Sequence, residues 1–459
     1  MKARNRSLVS TLVLLAVAGG ALAAAWFGIA KKDEAKEARK AAEEKLYAFA
    51  PARVKAITVA AKGDTTALAR TGDGWRIESP VRADAERATV DSLVDGIAEL
   101  RRKSSIAPAP DAAALARYGL SQPRATATLT LDDGKTETLA LGDENAFDGT
   151  AFVRTTGGAV ELVPGDVKWS VERSTFDLRE KRLLPFEDKD LQRVSVTTPK
   201  LSYELVREGD AWRLEAPSRE KADDATVSRV LGAIRGLRAT AFLPPQQDDR
   251  ALGLDRPRWK VKLVTQGGAR ALVIGAMPGE PPASKGEGAP RPLYARLEGA
   301  TEMATVPESA TTDLEQDLLA LRDKSVLRFE RDKVAAVRFT QGDSSFEAKK
   351  DAAPGRVASL VWALSSLRAK AFADETGRAL ARHGLDRPAR EVALLGADGK
   401  ELDHLYVSTE RGGKTFARSA SSPRIVEIDP ASLASLPRSA QDLQEEKPLA
   451  PAEAKAGRK

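Results

Sequence analysis

The chain offers few side chains that could carry out covalent chemistry. Its 459 residues include no cysteine and two histidines, His383 and His404. The lack of cysteine excludes disulfides, thiolate nucleophiles and cysteine-ligated zinc or iron–sulfur centres. Each histidine stands alone in its own segment, and a lone histidine cannot make a zinc site by itself. No Ser-His-Asp set can be assembled around either one. We therefore predict no catalytic residue, no metal ligand and no cofactor.

Two other patterns could carry chemistry. The string GDENAFDG at 142–149 is acidic enough for calcium, but Phe147 occupies a position where a calcium loop needs a ligand, so we interpret it as a solvated turn. Neither a P-loop nor a Gly-x-Gly-x-x-Gly turn is present. Carboxylates are plentiful, so a carboxylate-dependent hydrolase stays open as an alternative, although no pair is spaced for it.

The overall charge gives no sign of a nucleic-acid partner. There are 72 basic and 66 acidic residues, interspersed along the chain, and only 5% of residues are aromatic. Nucleic-acid binders concentrate Lys and Arg on one face, often with stacking aromatics. The composition predicts instead a mixed, solvated surface on a chain long enough for two to four domains.

The N-terminus predicts a membrane anchor. Residues 8–30 contain no charge, and a helix of this length crosses a hydrocarbon core of about 30 Å. A cleaved signal peptide is the alternative, but the run is longer than a usual signal core and ends with Trp26 and Phe27, which suit a membrane interface. We expect a single pass in a bacterial inner membrane, with the flank 1–7 in the cytoplasm and the body in the periplasm or outside.

The remainder of the chain is repetitive. The string GWRIESP at 74–80 returns as AWRLEAP at 211–217. Each precedes a helical pattern that recurs a third time, with apolar residues at i, i+3, i+4, i+7 and i+10. The three sets are Val90, Leu93, Val94, Ile97, Leu100; Val227, Val230, Leu231, Ile234, Leu237; and Val357, Leu360, Val361, Leu364, Leu367.

Each helix is followed by a turn signature and by alternating segments. The signature reads YGLSQP at 118–123, LGLDRP at 252–257 and HGLDRP at 383–388. Its Gly can take a positive φ, and its Pro passes the chain to an extended segment. Hairpins follow at 125–142, 259–275 and 390–408, and a matched strand closes each copy: AFVRT at 151–155, LYARL at 293–297 and TFARS at 415–419.

The spacing predicts three tandem homologous α+β units behind the anchor. We place a helical stalk at 31–52, the units at 53–186, 187–330 and 331–440, and a disordered tail at 441–459. The first two units end in segments that share Leu-Arg-x-Lys, at 177–187 and 320–330, which we expect to be helical. Unit three is divergent and partial.

Five single residues add detail to the predicted units. Trp75 and Trp212 lie at the same place in their units, and we expect core packing at both instead of ligand stacking. Unit three has Gly342 at the corresponding place and therefore lacks that strand. Asp84 and Asp223 stand upstream of the first two helices as expected N-caps.

These motifs, taken in order, resemble a bacterial family called domain of unknown function 4340. The resemblance covers nearly all of 53–440. It implies a protein anchored by one N-terminal helix, with some members similar to auxiliary components of gliding-type ABC transport systems, and it implies no catalytic residue. We expect a non-catalytic envelope protein that acts as a binding or scaffolding arm, accessory to an ABC transport system. The alternative is a cell-wall or polysaccharide binder that uses Phe152, Tyr294 and Phe416.

Overall fold

The computed structural model describes residues 44–244, 248–276 and 292–443. Within these ranges, no helix is long and apolar enough to cross a bilayer. The predicted anchor at 8–30, most of the predicted stalk, and residues 444–459 of the predicted tail lie outside them.

The described chain divides into two compact units, and from here on unit 1 and unit 2 refer to these two and not to the predicted units. Unit 1 holds residues 44–182 together with Ala239–Phe242, and unit 2 holds Leu183–Arg238 and the residues from Leu243 onward. The fold is α+β and contains three antiparallel sheets.

The first sheet has nine strands in the order β4-β3-β2-β1-β6-β7-β8-β9-β5. They are β1 (Val54–Ala61), β2 (Asp64–Thr71), β3 (Gly74–Ser79), β4 (Ala83–Asp84), β5 (Ser104–Ala107), β6 (Ala125–Leu131), β7 (Thr136–Glu144), β8 (Ala151–Thr155) and β9 (Val160–Val163).

The second sheet repeats that order as β13-β12-β11-β10-β15-β16-β17-β18-β14. Its strands are β10 (Leu191–Thr197), β11 (Ser202–Glu208), β12 (Ala211–Ala216), β13 (Glu220–Lys221), β14 (Ala241–Leu243), β15 (Trp259–Thr265), β16 (Gly268–Gly275), β17 (Pro292–Leu297) and β18 (Met303–Pro307).

The third sheet has seven strands in the order β20-β19-β22-β23-β24-β25-β21. They are β19 (Ala336–Gln341), β20 (Ser344–Lys349), β21 (Ala369–Asp374), β22 (Arg390–Leu395), β23 (Glu401–Val407), β24 (Thr415–Ser419) and β25 (Ile425–Ile428). This sheet ends at β20 and has no counterpart of β3 and β4 among the described residues, so the prediction that the third copy lacks the tryptophan strand is confirmed.

Helices cover one face of each sheet. They are α1 (Arg87–Ala98), α2 (Ala112–Arg117), α3 (Val167–Val171), α4 (Thr175–Leu178), α5 (Asp224–Arg235), α6 (Leu318–Leu321) and α7 (Pro354–Ser365). The three sets of five apolar residues predicted from periodicity are all buried, the last member of each set lying just past its helix. Burying five such side chains stabilises each module by roughly 10 kcal/mol before chain entropy is counted.

The repeated tryptophans lie in the core, as predicted. Trp75 is 4% exposed and Trp212 is 9% exposed, on the equivalent strands β3 and β12. The prolines that close the two strings, Pro80 and Pro217, both follow cis peptide bonds. The repetition therefore duplicates architecture.

The turn signature also behaves as predicted. Gly119, Gly253 and Gly384 all have positive φ, at 68°, 67° and 68°. These values lie in the left-handed region that glycine enters without a Cβ penalty. In each copy the next sheet strand begins two residues after the proline of the signature.

Other expectations are wrong. Most of 177–187 and 320–330 is not helical, because the chain leaves α4 and α6 after one turn and forms extended bridges through Arg179 and Arg322. Asp84 lies in strand β4, and the residue at the N-cap of α1 is Glu86.

Asp223 is the N-cap of α5, as predicted, and its carboxylate accepts a hydrogen bond of 3.0 Å from the Thr226 amide.

The predicted flanks are shorter than expected. Tyr47 and Phe49, assigned to the stalk at 31–52, are buried in the core of unit 1, and the Tyr47 hydroxyl donates a 2.7 Å hydrogen bond to the Thr138 carbonyl. Packing these two rings on the sheet removes their apolar surface from water, which a solvated helix would leave exposed. At the other end, Gln441–Leu443 forms a 3-10 turn, with Leu443 packed on the core of the third sheet.

Candidate functional site

The Leu-Arg-x-Lys string makes the same set of contacts in both of its copies, and we call each set of contacts a joint. In unit 1, the Arg179 guanidinium carbon lies 3.5 Å from the centroid of the Phe242 ring. In unit 2, Arg322 lies 3.9 Å from the centroid of Phe372 in the same way. A guanidinium over an aromatic face is attracted by the ring quadrupole and packs its planar surface against the ring. This contact explains why the arginine of the string recurs.

The lysine of the string also has one role in both copies. The Lys181 ammonium lies 3.1 Å from the Glu86 carboxylate at the start of α1. The Lys324 ammonium lies 3.9 Å from Asp223 at the start of α5. Each lysine therefore connects the extended segment to the N-terminus of the helix that covers its sheet.

Unit 2 adds a ring of four charged residues to its joint, which we call the ion ring. Arg322 approaches Glu220 at 2.8 Å and holds both oxygens of Glu375, at 2.7 and 2.8 Å. Arg424 closes the ring, at 2.8 Å from Glu220 and 3.1 Å from Glu375. The side chains of Glu220 and Arg322 are 8% and 11% exposed, so both charges are largely removed from water.

The contact between Arg322 and Glu375 favours the charged form of each. Hydrogen bonds from Arg322, against a smaller opposing effect of burial, lower the pKa of Glu375. The same hydrogen bonds, donated by Arg322 to the Glu375 carboxylate, raise the pKa of Arg322. The ring joins β13 and the extended segment to the residues beside β21 and β25, so it fastens the second sheet to the third.

A polar cleft of about 670 Å³ opens in unit 2, and we call it the joint cleft. It is formed by β13, the first residue of α5, the extended segment after α6, and the chain that leaves α7. Its lining residues are Lys221, Asp224, Asp323, Ser325, Leu327, Arg328, Phe329, Arg331, Ser365, Ser366 and Arg368.

Two buried carboxylates organise the cations of the joint cleft. Asp323, which lines the cleft, is 5% exposed, and Asp223, which does not, is 3% exposed. The cations lie 3.5 to 3.9 Å from these carboxylates: Lys221, Arg328 and Arg368 from Asp323, and Lys324 and Arg368 from Asp223. Distances of this length are looser than a good charge-assisted hydrogen bond, so the two carboxylates leave donor capacity on the cations.

The joint cleft carries a surplus of positive charge. Arg331 is exposed on its wall and forms no ion pair with any residue in the described part of the chain. The lining holds four cations, Lys221, Arg328, Arg331 and Arg368, and two carboxylates, Asp323 and Asp224. Arg and Lys donors in this arrangement can bind carboxylate or phosphate groups. The cleft therefore offers a place where an anionic group could bind.

The turn-signature residues and the strand aromatics pack against each other. The rings of Tyr118 and Phe152 lie 4.5 Å apart, and those of His383 and Phe416 lie 4.6 Å apart. In the second copy, Leu252 and Tyr294 belong to one small apolar cluster. The first position of the signature therefore serves packing against the third matched strand of each copy.

His404 lies between two carboxylates on the third sheet. Its Nε2 is 3.1 Å from Glu391, its Nδ1 is 3.2 Å from Glu401, and its ring stacks on Tyr406 at 4.5 Å. Because the carboxylates approach opposite nitrogens, they do not converge on one point. Across 44–244, 248–276 and 292–443, no three His, Asp or Glu side chains are grouped so that they could hold a metal ion.

The acidic loop at 142–149 uses its oxygens internally. Asn145 accepts a 3.1 Å hydrogen bond from the Phe147 amide, and Asp148 accepts from the amide and hydroxyl of Thr150 at 3.1 and 2.6 Å. Glu144 pairs with Lys168. These contacts agree with a structural turn.

Sequence reasoning missed the joint cleft and the ion ring. The Leu-Arg-x-Lys string was a usable signal, because it recurs where helix continuation is broken. The other members of the ion ring are Glu220, Glu375 and Arg424, and no local sequence motif connects them to Arg322. Only the fold brings these side chains together.

Comparison with known proteins identifies one family. Its description is Domain of unknown function (DUF4340), and the match covers residues 75–257 and 346–458. No curated protein and no solved structure matches the chain. Because the two matched segments make up well over half of its length, the chain belongs to the DUF4340 family.

Proposed function

We propose that this chain is a non-catalytic, membrane-anchored arm of the bacterial cell envelope that binds a protein partner at the joint cleft, and that the partner is a subunit of an ABC transport system. The observation that carries the proposal is the cleft itself, where four cations face one buried and one exposed carboxylate. Surplus donors on a preformed polar surface suit an acidic segment of another protein.

The construction of unit 2 supports a binding role. The ion ring fixes the wall of the cleft with largely buried pairs, so little ordering is needed when a partner arrives. Preorganisation of this kind raises affinity by lowering the entropic cost of association. The uncharged run at 8–30 supports the membrane attachment and would hold the arm near a membrane complex.

The contacts of the strand aromatics do not favour the glycan-binding alternative. Phe152, Tyr294 and Phe416 are half-buried and packed on the turn signature. A sugar-stacking platform needs an open ring face, and these faces are largely occupied by neighbours. The hydrolase alternative likewise gains no specific observation, because Asp323 is already shared among three cations.

Site-specific photocrosslinking in native membranes tests the proposal. A photoreactive residue replaces Ser366 in the cleft, and the matched control replaces Ser359, which is exposed on α7 outside the cleft lining. We expect the label at 366 to capture a transporter subunit that the label at 359 does not capture. Capture of glycan alone, or of the same species at both positions, would contradict the proposal.

A charge reversal adds a second test. Arg331→Glu reverses an unpaired cation on the cleft wall, and Arg378→Glu reverses an exposed arginine of unit 2 that does not line the cleft. We expect Arg331→Glu to reduce crosslinking at 366 about tenfold, which corresponds to the loss of one charge contact, and Arg378→Glu to leave it unchanged.

A further inference from the structure

Two large apolar side chains of unit 1 project into solvent. Phe147 is 96% exposed and Trp169 is 68% exposed. Both are far more exposed than an isolated surface aromatic needs to be, and a contact surface is one reason to expose such rings. The question is which surface they meet.

Phe147 is held outward by an ordered loop. The Asn145 side chain accepts from its amide, and Asp148 binds Thr150 through two hydrogen bonds. The loop also packs closely on the chain before α3, since a Cβ on Gly165 would lie 1.9 Å from the Gly149 carbonyl oxygen. The position of the phenyl ring is therefore part of the fold.

Trp169 lies on the same edge. It occupies the middle of α3, whose Val167 and Val171 are buried on the opposite helical face. Lys168 pairs with Glu144 at the base of the Phe147 loop, so the helix and the loop are joined by an ion pair. The two aromatic residues thus project from adjoining segments, which we call the aromatic edge.

The chain enters unit 1 beside the aromatic edge. The Leu46 amide donates to Leu100 at 3.0 Å, and the Arg102 amide donates to Glu44 at 2.7 Å, so the first described residues pair with the chain just after α1. The next amide, that of Lys103, donates to Leu162 on β9, the neighbour of β8, which starts directly after the Phe147 loop.

The tether to the predicted anchor is short. Between the end of the uncharged run at 30 and the first described residue at 44 the chain can span at most about 50 Å, even when fully extended. We propose that the aromatic edge of unit 1 lies against the lipid bilayer, with Phe147 and Trp169 in the boundary between headgroups and acyl chains. This inference rests on the membrane anchor of the proposed function.

Charge balance on the edge specifies the kind of lipid surface. Glu144 pairs with Lys168, and Glu172 pairs with Arg124 at 2.7 Å. Asp148 and Asp166 are exposed beside the two rings. The edge therefore has no surplus of positive charge with which to attract anionic lipid, and binding comes from the aromatic rings, which favour the membrane interface. The contact should therefore form on zwitterionic bilayers and change little with salt.

The natural absence of cysteine makes a direct test possible. Single-cysteine variants of the full chain, Phe147→Cys and Trp169→Cys, are labelled with an environment-sensitive fluorophore and reconstituted into phosphatidylcholine nanodiscs that contain lipids with a headgroup-level quencher. Asp73→Cys is the matched control, because it is exposed in the turn between β2 and β3 of the same unit. Ala18→Cys lies near the middle of the uncharged run, so a parallel set of nanodiscs with a quencher near the end of the acyl chain reports insertion of the anchor.

Quenching at 147 and 169, with blue-shifted emission and an unquenched label at 73, is the expected result. If the label at 18 is quenched but the labels at 147 and 169 behave like the label at 73, the membrane contact is overturned and the anchor is not. An unquenched label at 18 would instead overturn the anchor on which both proposals depend. Capture of a protein from native membranes by a photocrosslinker at 147, without quenching in nanodiscs, would assign the aromatic edge to a protein partner and overturn the inference.

Discussion

Individual side chains in the core combine packing with one polar contact. The Trp75 ring is buried, its indole N–H donates a 2.8 Å hydrogen bond to Asp91, and Arg70 lies 4.3 Å from the ring centroid. Tyr203 combines burial with a hydrogen bond of 2.9 Å to the Leu314 carbonyl in the same way. Such residues stabilise a sheet and also fix the position of a neighbouring element.

Removal of the Trp75 ring should be costly. Trp75→Ala leaves a cavity between β3 and α1 and removes one of the hydrogen-bond partners of Asp91, so we expect a loss of about 3–5 kcal/mol in the free energy of unfolding. Trp169→Ala removes an exposed tryptophan ring. It should change the free energy of unfolding by less than about 0.5 kcal/mol, measured by urea unfolding without membranes. Similar losses for the two variants would contradict the core assignment.

Asp177 should contribute to acid sensitivity. Partial burial opposes the shift, but hydrogen bonds from the Ser174 amide and from Lys62 lower its pKa from 3.8 to about 2. Because the folded pKa lies below the unfolded one, the stabilisation is present above about pH 4 and is lost as the pH falls towards 2.

Asp177→Asn removes this titration. The variant should be less stable than the unchanged chain at pH 6, and the difference should shrink between pH 4 and pH 2. Thermal unfolding across that range measures it. A difference that grows on acidification would show that the sign is wrong.

The turn signature is the clearest prediction at the level of elements. Gly253 and Gly384 have nearly the same positive φ, but their surroundings differ. A Cβ on Gly253 would lie 2.2 Å from the Ala276 carbonyl oxygen, whereas the nearest atom at Gly384 is the Ser408 Cβ at 3.6 Å.

Gly384→Ala should therefore cost only the left-handed backbone penalty, about 1–2 kcal/mol. Gly253→Ala pays the same penalty and must also displace backbone, which adds about 1–3 kcal/mol. Both lie in unit 2, so urea unfolding followed by the same probe compares them directly. Equal losses would mean that the close approach at Gly253 is absent in solution.

The ion ring gives a second prediction for an element. Arg322→Ala leaves Arg424 as the remaining cation of the ring for both Glu220 and Glu375, so we expect a loss of about 2–3 kcal/mol. The value is below that of a fully buried pair because Glu375 is half-exposed.

A double-mutant cycle with Glu375→Ala should show coupling between the two positions. Arg322→Lys should recover little of it, since an ammonium cannot hold both oxygens of the carboxylate. Hydrogen exchange in α7 should rise in Arg322→Ala if the ring fastens the third sheet to the second. Additive single losses, with α7 unchanged, would contradict that role.

On the scale of the whole molecule, local patterns predicted the modules well and their joints poorly. Helix periodicity identified Val90 and its relatives because one face of each helix is buried on one sheet. Asp-Gly and Gly-Gly marked hairpins because the turn conformation is a local property. The segments after α4 and α6 looked helical by composition, but backbone bridges and the Arg322–Phe372 contact, both long-range, hold them extended.

The candidate site was not predictable for the same reason. Lys221, Asp323 and Arg368 lie far apart in sequence, and each looks like an ordinary surface charge where it stands. Burial of Asp323 and the convergence of cations around it arise only when the second and third sheets pack. The strands β5, β14 and β21 were also missed, since they are short and show no clear alternation.

The central claim is that the chain is held at a membrane with its body outside the cytoplasm. The most direct measurement pairs carbonate extraction of membranes with two C-terminal fusions, to alkaline phosphatase and to a fluorescent protein that matures only in the cytoplasm. Leu15→Arg with Val17→Arg is the control, because each charge in the middle of the apolar run costs about 3 kcal/mol of insertion. We predict a carbonate-resistant membrane protein with active phosphatase and a dark fluorescent fusion, both lost in the control. A soluble chain, or a bright fluorescent fusion with inactive phosphatase, would contradict the account.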